Sequence, residues 1–410
     1  MPPPLALLLV PGLAAPAAAA LRDGADWAVF LARADPINAF NASQRMTLPD
    51  QWLEASFTGN AMLATQVLVC PGGICRQSLL TGTNTSVPSP DAPLRVVLPL
   101  ARGDVSDMRS GNDSVVCTEW HSIVTCAGSP IWSQPKLGIG ALVLQPTRGA
   151  IVGGAIRTHL HNATISVRLT TTLGSVAFSV FVHAQRQLVV VEGLSATGGE
   201  GGSGLAWEFH PAPAVPPSLF SEIKDPASNF TRFAGGTPPP SYRRNPDPVC
   251  AGSAANGSCQ QALLVSKEGR GWVTSWQATG AGRLLVTITS DIPVRVGKPK
   301  TVRAAAEASA VLSAASALDP RSLATEHTRW WEDFWWSDDS GSFLSLPASA
   351  DQIEQFHWIQ AFKIASENAC RRFVDSAFEP DVLDNCLLLD GLNYVGPTSK
   401  TKYPHAICKW

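Results

Sequence analysis

Two carboxylates, Glu332 and Asp333, sit inside a run holding four tryptophans in seven residues, Trp330-Trp331-Glu332-Asp333-Phe334-Trp335-Trp336. Carboxyls among indoles are raw material for sugar chemistry. An apolar setting raises a carboxyl pKa toward general-acid use, and an indole offers a flat amphipathic surface to a sugar ring. Adjacent residues of a regular element point apart, however, so the pair reads as the flank of a structural contact rather than as an acid and its base. Asp104, Asp107 and Arg109, in Gly103-Asp104-Val105-Ser106-Asp107-Met108-Arg109, could grip sugar hydroxyls; a Gly-Asp turn bonding its own backbone is the alternative. His159 and His161 would share a face if residues 158–162 were a strand, a spacing able to hold zinc. No third ligand accompanies them, and they read as packing or surface histidines. The sequence contains no P-loop, dinucleotide fingerprint, Gly-x-Ser-x-Gly elbow or metalloprotease motif, and no cofactor or metal is expected.

The 410 residues, 45% hydrophobic and 16% charged, suffice for a large core and two or three domains. A net charge of -2 provides no broad cationic field, which argues against nucleic acid or an anionic membrane as partner. Thirteen Trp against three Tyr is an unusual aromatic balance, read first as core and second as sugar-stacking surface.

Export is written in three places. Residues 1–20 carry the apolar run Leu5-Ala6-Leu7-Leu8-Leu9-Val10 and end in small residues near Ala20, as a signal peptide does, and no later stretch is apolar enough to span a bilayer. Six cysteines form close pairs around turn residues, Cys70 with Cys75, Cys117 with Cys126, and Cys250 with Cys259; each reads as a local disulfide contributing roughly 2 to 3 kcal/mol. The spacing of two of these pairs is too long for the usual zinc-binding arrangement, and Cys370, Cys386 and Cys408 are left without an assigned pairing. Six glycosylation sequons, at Asn41, Asn84, Asn112, Asn162, Asn229 and Asn256, exceed the roughly two that chance supplies. The expected location is secreted or in the endomembrane lumen.

The elements that must position these residues fall in two blocks. Short β-branched and aliphatic runs at 94–98, 141–145, 164–171, 175–183, 188–194, 262–266, 271–277 and 283–290, separated by turns, predict a large antiparallel sandwich over residues 21–299. Near residue 300 the pattern becomes helical. An Ala-rich helix over 302–318 stops at Asp319-Pro320, and a second begins after Ser349, where Ser349 and Gln352 can form a capping box. Ile353, Phe356, Trp358, Ile359, Phe362 and Ile364 make that second helix apolar on more than one side. The organisation is then a signal peptide (1–20), a sandwich (21–299), a helical linker with the Trp cluster (300–348), a further helix (349–373) and an irregular tail (374–410). The sandwich is expected to stand without the later helices, so that a chain ending after Asp319 folds.

The order of several segments resembles glycoside hydrolase family 95, the α-L-fucosidase-like enzymes. They are residues 52–64, from Trp52 through Gly59-Asn60-Ala61, with Ala61 where the family has a second glycine; Gly103 to Arg109; Pro135 to Gly140; Arg157 to Ala163; His327 with Trp330-Trp331 and Phe334-Trp335; and Gln355 to Ser366. The resemblance implies a mainly β fold, a large antiparallel super-β-sandwich followed by a helical linker and an (α/α)₆ barrel, of which residues 349–373 would be the first helix. Such a barrel takes on the order of 300 residues, and only about sixty remain from that helix onward. The two carboxylates an inverting glycosidase holds about 6.5 to 9.5 Å apart therefore have no evident place, and no catalytic residue is assigned. Candidate contacts to a glycan or polysaccharide partner are Trp52, Asn60, Asp104, Asp107, Arg109, Trp330 and Trp331. A non-catalytic carbohydrate-binding or cell-surface module is the alternative reading.

Overall fold

The computed structural model describes residues 37–43, 48–50, 55–60, 62–73, 75, 89, 91–103, 105, 118–120, 123–125, 137–197, 204–212, 214, 220–225, 230–235, 245–264, 270–280, 282–292, 303–336 and 351–367. In chain order the first strands are β1 (Ile37–Asn41), β2 (Ser56–Gly59), β3 (Leu63–Pro71), β4 (Leu94–Arg102), β5 (Thr118–Trp120), β6 (Ile123–Thr125), β7 (Gly140–Pro146), β8 (Ile151–His159) and β9 (Thr164–Thr171). There follow β10 (Gly174–Val182), β11 (Val189–Thr197), β12 (Leu205–Pro211), β13 (Phe220–Asp225), β14 (Phe230–Gly235), β15 (Val249–Gly252), β16 (Asn256–Ala262), β17 (Gly271–Thr279) and β18 (Arg283–Ser290). Among the described residues, three helices follow the strands: α1 (Ala304–Ala317), α2 (Pro320–Trp336) and α3 (Asp351–Glu367).

The protein is mainly β. Two antiparallel sheets face each other, a nine-stranded one ordered β1-β8-β9-β10-β11-β18-β17-β16-β15 and a five-stranded one ordered β12-β7-β4-β3-β2; β5–β6 and β13–β14 are separate two-stranded ribbons. Alternation builds the space between them. Ile165, Val167 and Leu169 on β9 and Val96, Leu98 and Leu100 on β4 point inward to one shared core. The run Leu188-Val189-Val190-Val191 does not alternate because both of its faces are covered. Val189 and Val191 enter the inter-sheet core, while Leu188 and Val190, with Phe181 and Leu285, are buried against Leu312 and Ala315 of α1 and Leu323 of α2.

Three sequence expectations change. The predicted strand at 262–266 is displaced: the strand there is β16, which ends at Ala262. Residues 158–162 are not one strand. β8 ends at His159, and the chain turns through Ala163, whose φ of 49° is left-handed, so His159 and His161 do not share a strand, although their rings still meet edge-on with centroids 5.9 Å apart. Asp319-Pro320 ends one helix and starts the next: Pro320 is the first residue of α2, where its missing N–H costs nothing, and Asp319 Oδ1 accepts the Arg321 N–H at 3.1 Å. The Trp cluster therefore lies on a helix of seventeen residues.

Candidate functional site

Asn60 closes the turn between β2 and β3 and is wholly buried. Its Oδ1 accepts the N–H groups of Met62 (3.1 Å) and Leu63 (2.8 Å), and its Nδ2 donates to the carbonyls of His183 (2.8 Å) and Arg186 (2.9 Å). Two donors and two acceptor bonds complete what a carboxamide usually makes, and they tie the smaller sheet to the β10–β11 turn of the larger one. Gly59 beside it is required by a close approach: a Cβ there would lie 2.8 Å from the Ser366 carbonyl oxygen of α3.

Around this stitch the other distinctive segments converge. Thr58 Oγ1 donates to the Ala163 carbonyl at 2.8 Å. His327, buried on α2, accepts the Ala184 N–H on Nδ1 at 3.1 Å; its proton is therefore on Nε2, which donates to the Asn162 carbonyl at 2.6 Å. The same ring stacks on Phe181 with centroids 4.5 Å apart. Trp335 Nε1 donates to the Leu160 carbonyl at 3.2 Å. Trp331, Trp335, Trp358 and Phe362 are packed against Leu160, Ala163 and Ala184, and Phe57 meets Phe362 at 5.2 Å. Residues from β2, the β8–β9 turn, the β10–β11 turn, α2 and α3 thus form one junction between the sandwich and its helices.

That placement decides what several candidates do. Asn60 and Trp331 are buried, the first in four hydrogen bonds and the second in the aromatic cluster; Trp330 is half-buried and stacked on Phe334. Glu332 and Asp333 lie on the exposed side of α2 rather than in an apolar pocket. His159 Nε2 pairs with Ser166 Oγ at 2.8 Å, and no group of three or more His, Cys, Asp or Glu able to hold a metal occurs among the described residues. Cys70–Cys75 and Cys250–Cys259 are disulfides. Asn41 is exposed, Asn162 half-buried in the β8–β9 turn, and Asn256 exposed at the start of β16. Trp52, Asp104, Asp107, Arg109, Cys117, Cys126, Asn84, Asn112, Asn229, the predicted signal peptide, Ser349 and the tail after 367 lie outside the described residues.

No protein-family model matches the chain, and no curated protein does. A solved structure described as a kojibiose phosphorylase, from human microbiome, superposes with a TM-score of 0.46 at 8% identity, over 82% of this chain and 42% of that one. The chain thus spans less than half the length of that structure. Among the described residues no helix is long and apolar enough to cross a membrane.

His183 and Arg186 belong to the junction although neither stood out in the sequence, because no motif surrounds them; only the fold brings their turn to Asn60. His183 is buried, with Nδ1 accepting the Gln185 N–H at 3.2 Å and Nε2 3.6 Å from Glu326 Oε2; Arg186 Nη2 holds the same oxygen at 2.7 Å. Burial, and then the Arg186 charge, lower the His183 pKa to about 4, against the opposing pull of Glu326 and the Leu323 backbone. The unfolded chain binds this proton near pH 6.5 and the folded chain does not until about 4, so stability falls as pH drops through that window, by roughly 3 kcal/mol in all. Urea midpoints at pH 7 and 4.5 should separate more for the wild type than for His183→Asn, whose side-chain oxygen can still accept the Gln185 N–H. Equal separations would remove His183 from the acid response.

Proposed function

We propose that this chain is a secreted protein related to glycoside hydrolases, acting in carbohydrate metabolism as a sandwich scaffold that positions a helical unit, and that it does not hydrolyse glycosides by itself. The supporting observation is the junction. Phe57 to Asn60, Leu160 to Ala163, His327 to Trp335 and Trp358 to Ser366 belong to the segments on which the resemblance to family 95 rests, and they meet in one place. Segments far apart in the chain that share one structural task are what an inherited architecture leaves behind. The helix held there, α3, turns Trp358 and Phe362 inward and leaves Ile353 and Phe356 each 64% exposed. An apolar stripe of that kind suits the wall of a larger helical assembly.

The purified chain is expected to give no turnover above a mock preparation on a panel of aryl fucosides and other glycosides. Turnover that co-purifies with the chain through two chromatographic steps would overturn the non-catalytic part of this reading. A glycan array run on the deglycosylated protein tests the partner class, and tight, specific binding without turnover would favour a dedicated carbohydrate-binding module.

A further inference from the structure

We propose that the groove between the β15–β16 hairpin and helix α1 cradles the N-linked glycan carried by Asn256. The inference rests on the proposed passage through the secretory lumen, and on a geometry independent of the junction. Helix α1 packs over β17 and β18, while β15, the edge strand, has all four of its residues exposed. The step from helix to hairpin leaves an open groove of about 240 Å³ lined by Asn256, Trp276, Gln277, Ser309, Leu312 and Ser313.

The acceptor of the sequon Asn256-Gly257-Ser258 thus sits in the wall of the groove. Asn256 is the register partner of Gln277, so both side chains leave the same face of the sheet, the face α1 covers; the Ser316 hydroxyl of α1 lies 2.9 Å from Gln277 Oε1. The backbone N–H of Asn256 bonds Ser253 Oγ, and its carbonyl accepts the Ser253 N–H at 2.7 Å; the carboxamide takes part in neither bond. Ser309 and Ser313, one turn apart on α1, are exposed and aligned along the opposite wall.

The floor and the acceptor turn are one rigid unit. A Cβ on Gly257 would lie 2.4 Å from Trp276 Cζ2, so the middle residue of the sequon must be glycine for the indole to seat beneath it. Trp276 Nε1 donates to the Ser253 carbonyl at 2.9 Å, and the Cys250–Cys259 disulfide closes the hairpin. None of the six lining residues is charged. The indole of Trp276 lies on the far face of the sheet, against Phe209, and supports the floor from behind. The carboxamides and hydroxyls that face the groove suit the hydroxyls and acetamido group of a neutral sugar, and offer nothing to an ionic ligand. A glycan attached at the wall is also present at the high effective concentration of a tethered ligand, so modest contacts suffice to hold it.

The test uses the full chain secreted from a eukaryotic host. Glycopeptide mass spectrometry establishes occupancy at Asn41 and Asn256, and peptide N-glycosidase is then applied to the native and the denatured protein. Native release at Asn256 is expected to be about tenfold slower than at exposed Asn41, with the two rates equal after denaturation. Replacing Ser309 and Ser313 together by alanine, a change that exposed helical positions tolerate, should speed native release at Asn256 and leave Asn41 unchanged. An unmodified Asn256 beside a modified Asn41, equal native rates at the two sites, or no response to the serine changes would each overturn the cradle while leaving secretion intact. If no sequon is modified, the secretory reading falls as well.

Discussion

Replacing Asn60 by alanine is expected to lower stability by about 4 kcal/mol, among the largest losses a single side chain in this protein can produce. The substitution removes four hydrogen bonds at once and leaves the buried N–H groups of Met62 and Leu63 and the carbonyl of His183 to find other partners, while the Arg186 carbonyl keeps the Leu188 N–H. Each net bond contributes about 1 kcal/mol, and a buried group left unsatisfied adds its own desolvation cost. The partners lie 123 and 126 residues away in the chain, so the loss also uncouples the two sheets at this end of the sandwich. Asn60→Asp is the sharper test. It keeps the shape and the two accepted bonds but turns the donor end toward two carbonyls as an oxygen, so at pH 7 it should be at least as damaging as alanine and should recover in part when the carboxyl is protonated. Thermal or urea midpoints of the two variants measure this. A sugar-contact role predicts the reverse pattern, lost carbohydrate binding with unchanged stability, and that result would sink the structural assignment.

The mainly β fold was legible wherever one strand face met the core and the other met polar surroundings. Residues 164–171 alternate along their whole length, and the strand formed there has the predicted bounds. β8 was not legible, because Gly153-Gly154 interrupts the alternation; the structure shows that the gap makes room for Phe40, whose ring atoms lie 2.9 Å from where a Gly154 Cβ would be. α2 was hidden for a different reason: Asp319-Pro320 reads as a stop, and a proline after an acidic cap is equally a start. At the junction, the distinctive residue types were legible as segments but their role was not. Asn60 and Trp331 carry the polar and aromatic character of a ligand site, and that same chemistry serves buried bonding and packing when the fold encloses it. The exposed stripe on α3 shows the converse, since Ile353, Phe356 and Ile359 looked like core and lie on the surface.

The second large effect concerns where the sandwich ends. The change of sequence pattern near residue 300 suggests a boundary, and from the sequence a chain ending after Asp319 is expected to fold. The packing predicts the opposite, that this truncation yields a protein that is largely insoluble or that binds hydrophobic dyes and has lost its near-ultraviolet tryptophan signal. Helices α2 and α3 take their own ordering entropy with them when removed, so their buried side chains are not the main loss. What counts is the sandwich surface they uncover. Phe181 and Leu188 lose Leu323, and Phe57, Leu160, Ala163 and Ala184 lose Trp331, Trp335, Trp358 and Phe362. Phe181 and Leu188 keep Leu312 and Ala315 of α1 and are uncovered only in part, whereas Leu160, with Phe57 and Ala163, loses its helical cover. A fully buried side chain of this size contributes roughly 1.5 to 3 kcal/mol, so uncovering the patch removes a large share of the net stability of an ordinary domain. A chain ending after Trp336 keeps Leu323, His327, Trp331 and Trp335, and should fold with an intermediate melting temperature. Parallel expression of the two truncations with the full chain, compared by soluble yield, dye binding and thermal melts, ranks the three. If the chain ending at Asp319 melts as high as the full chain, the sandwich is autonomous and α2 is only a passenger on its surface.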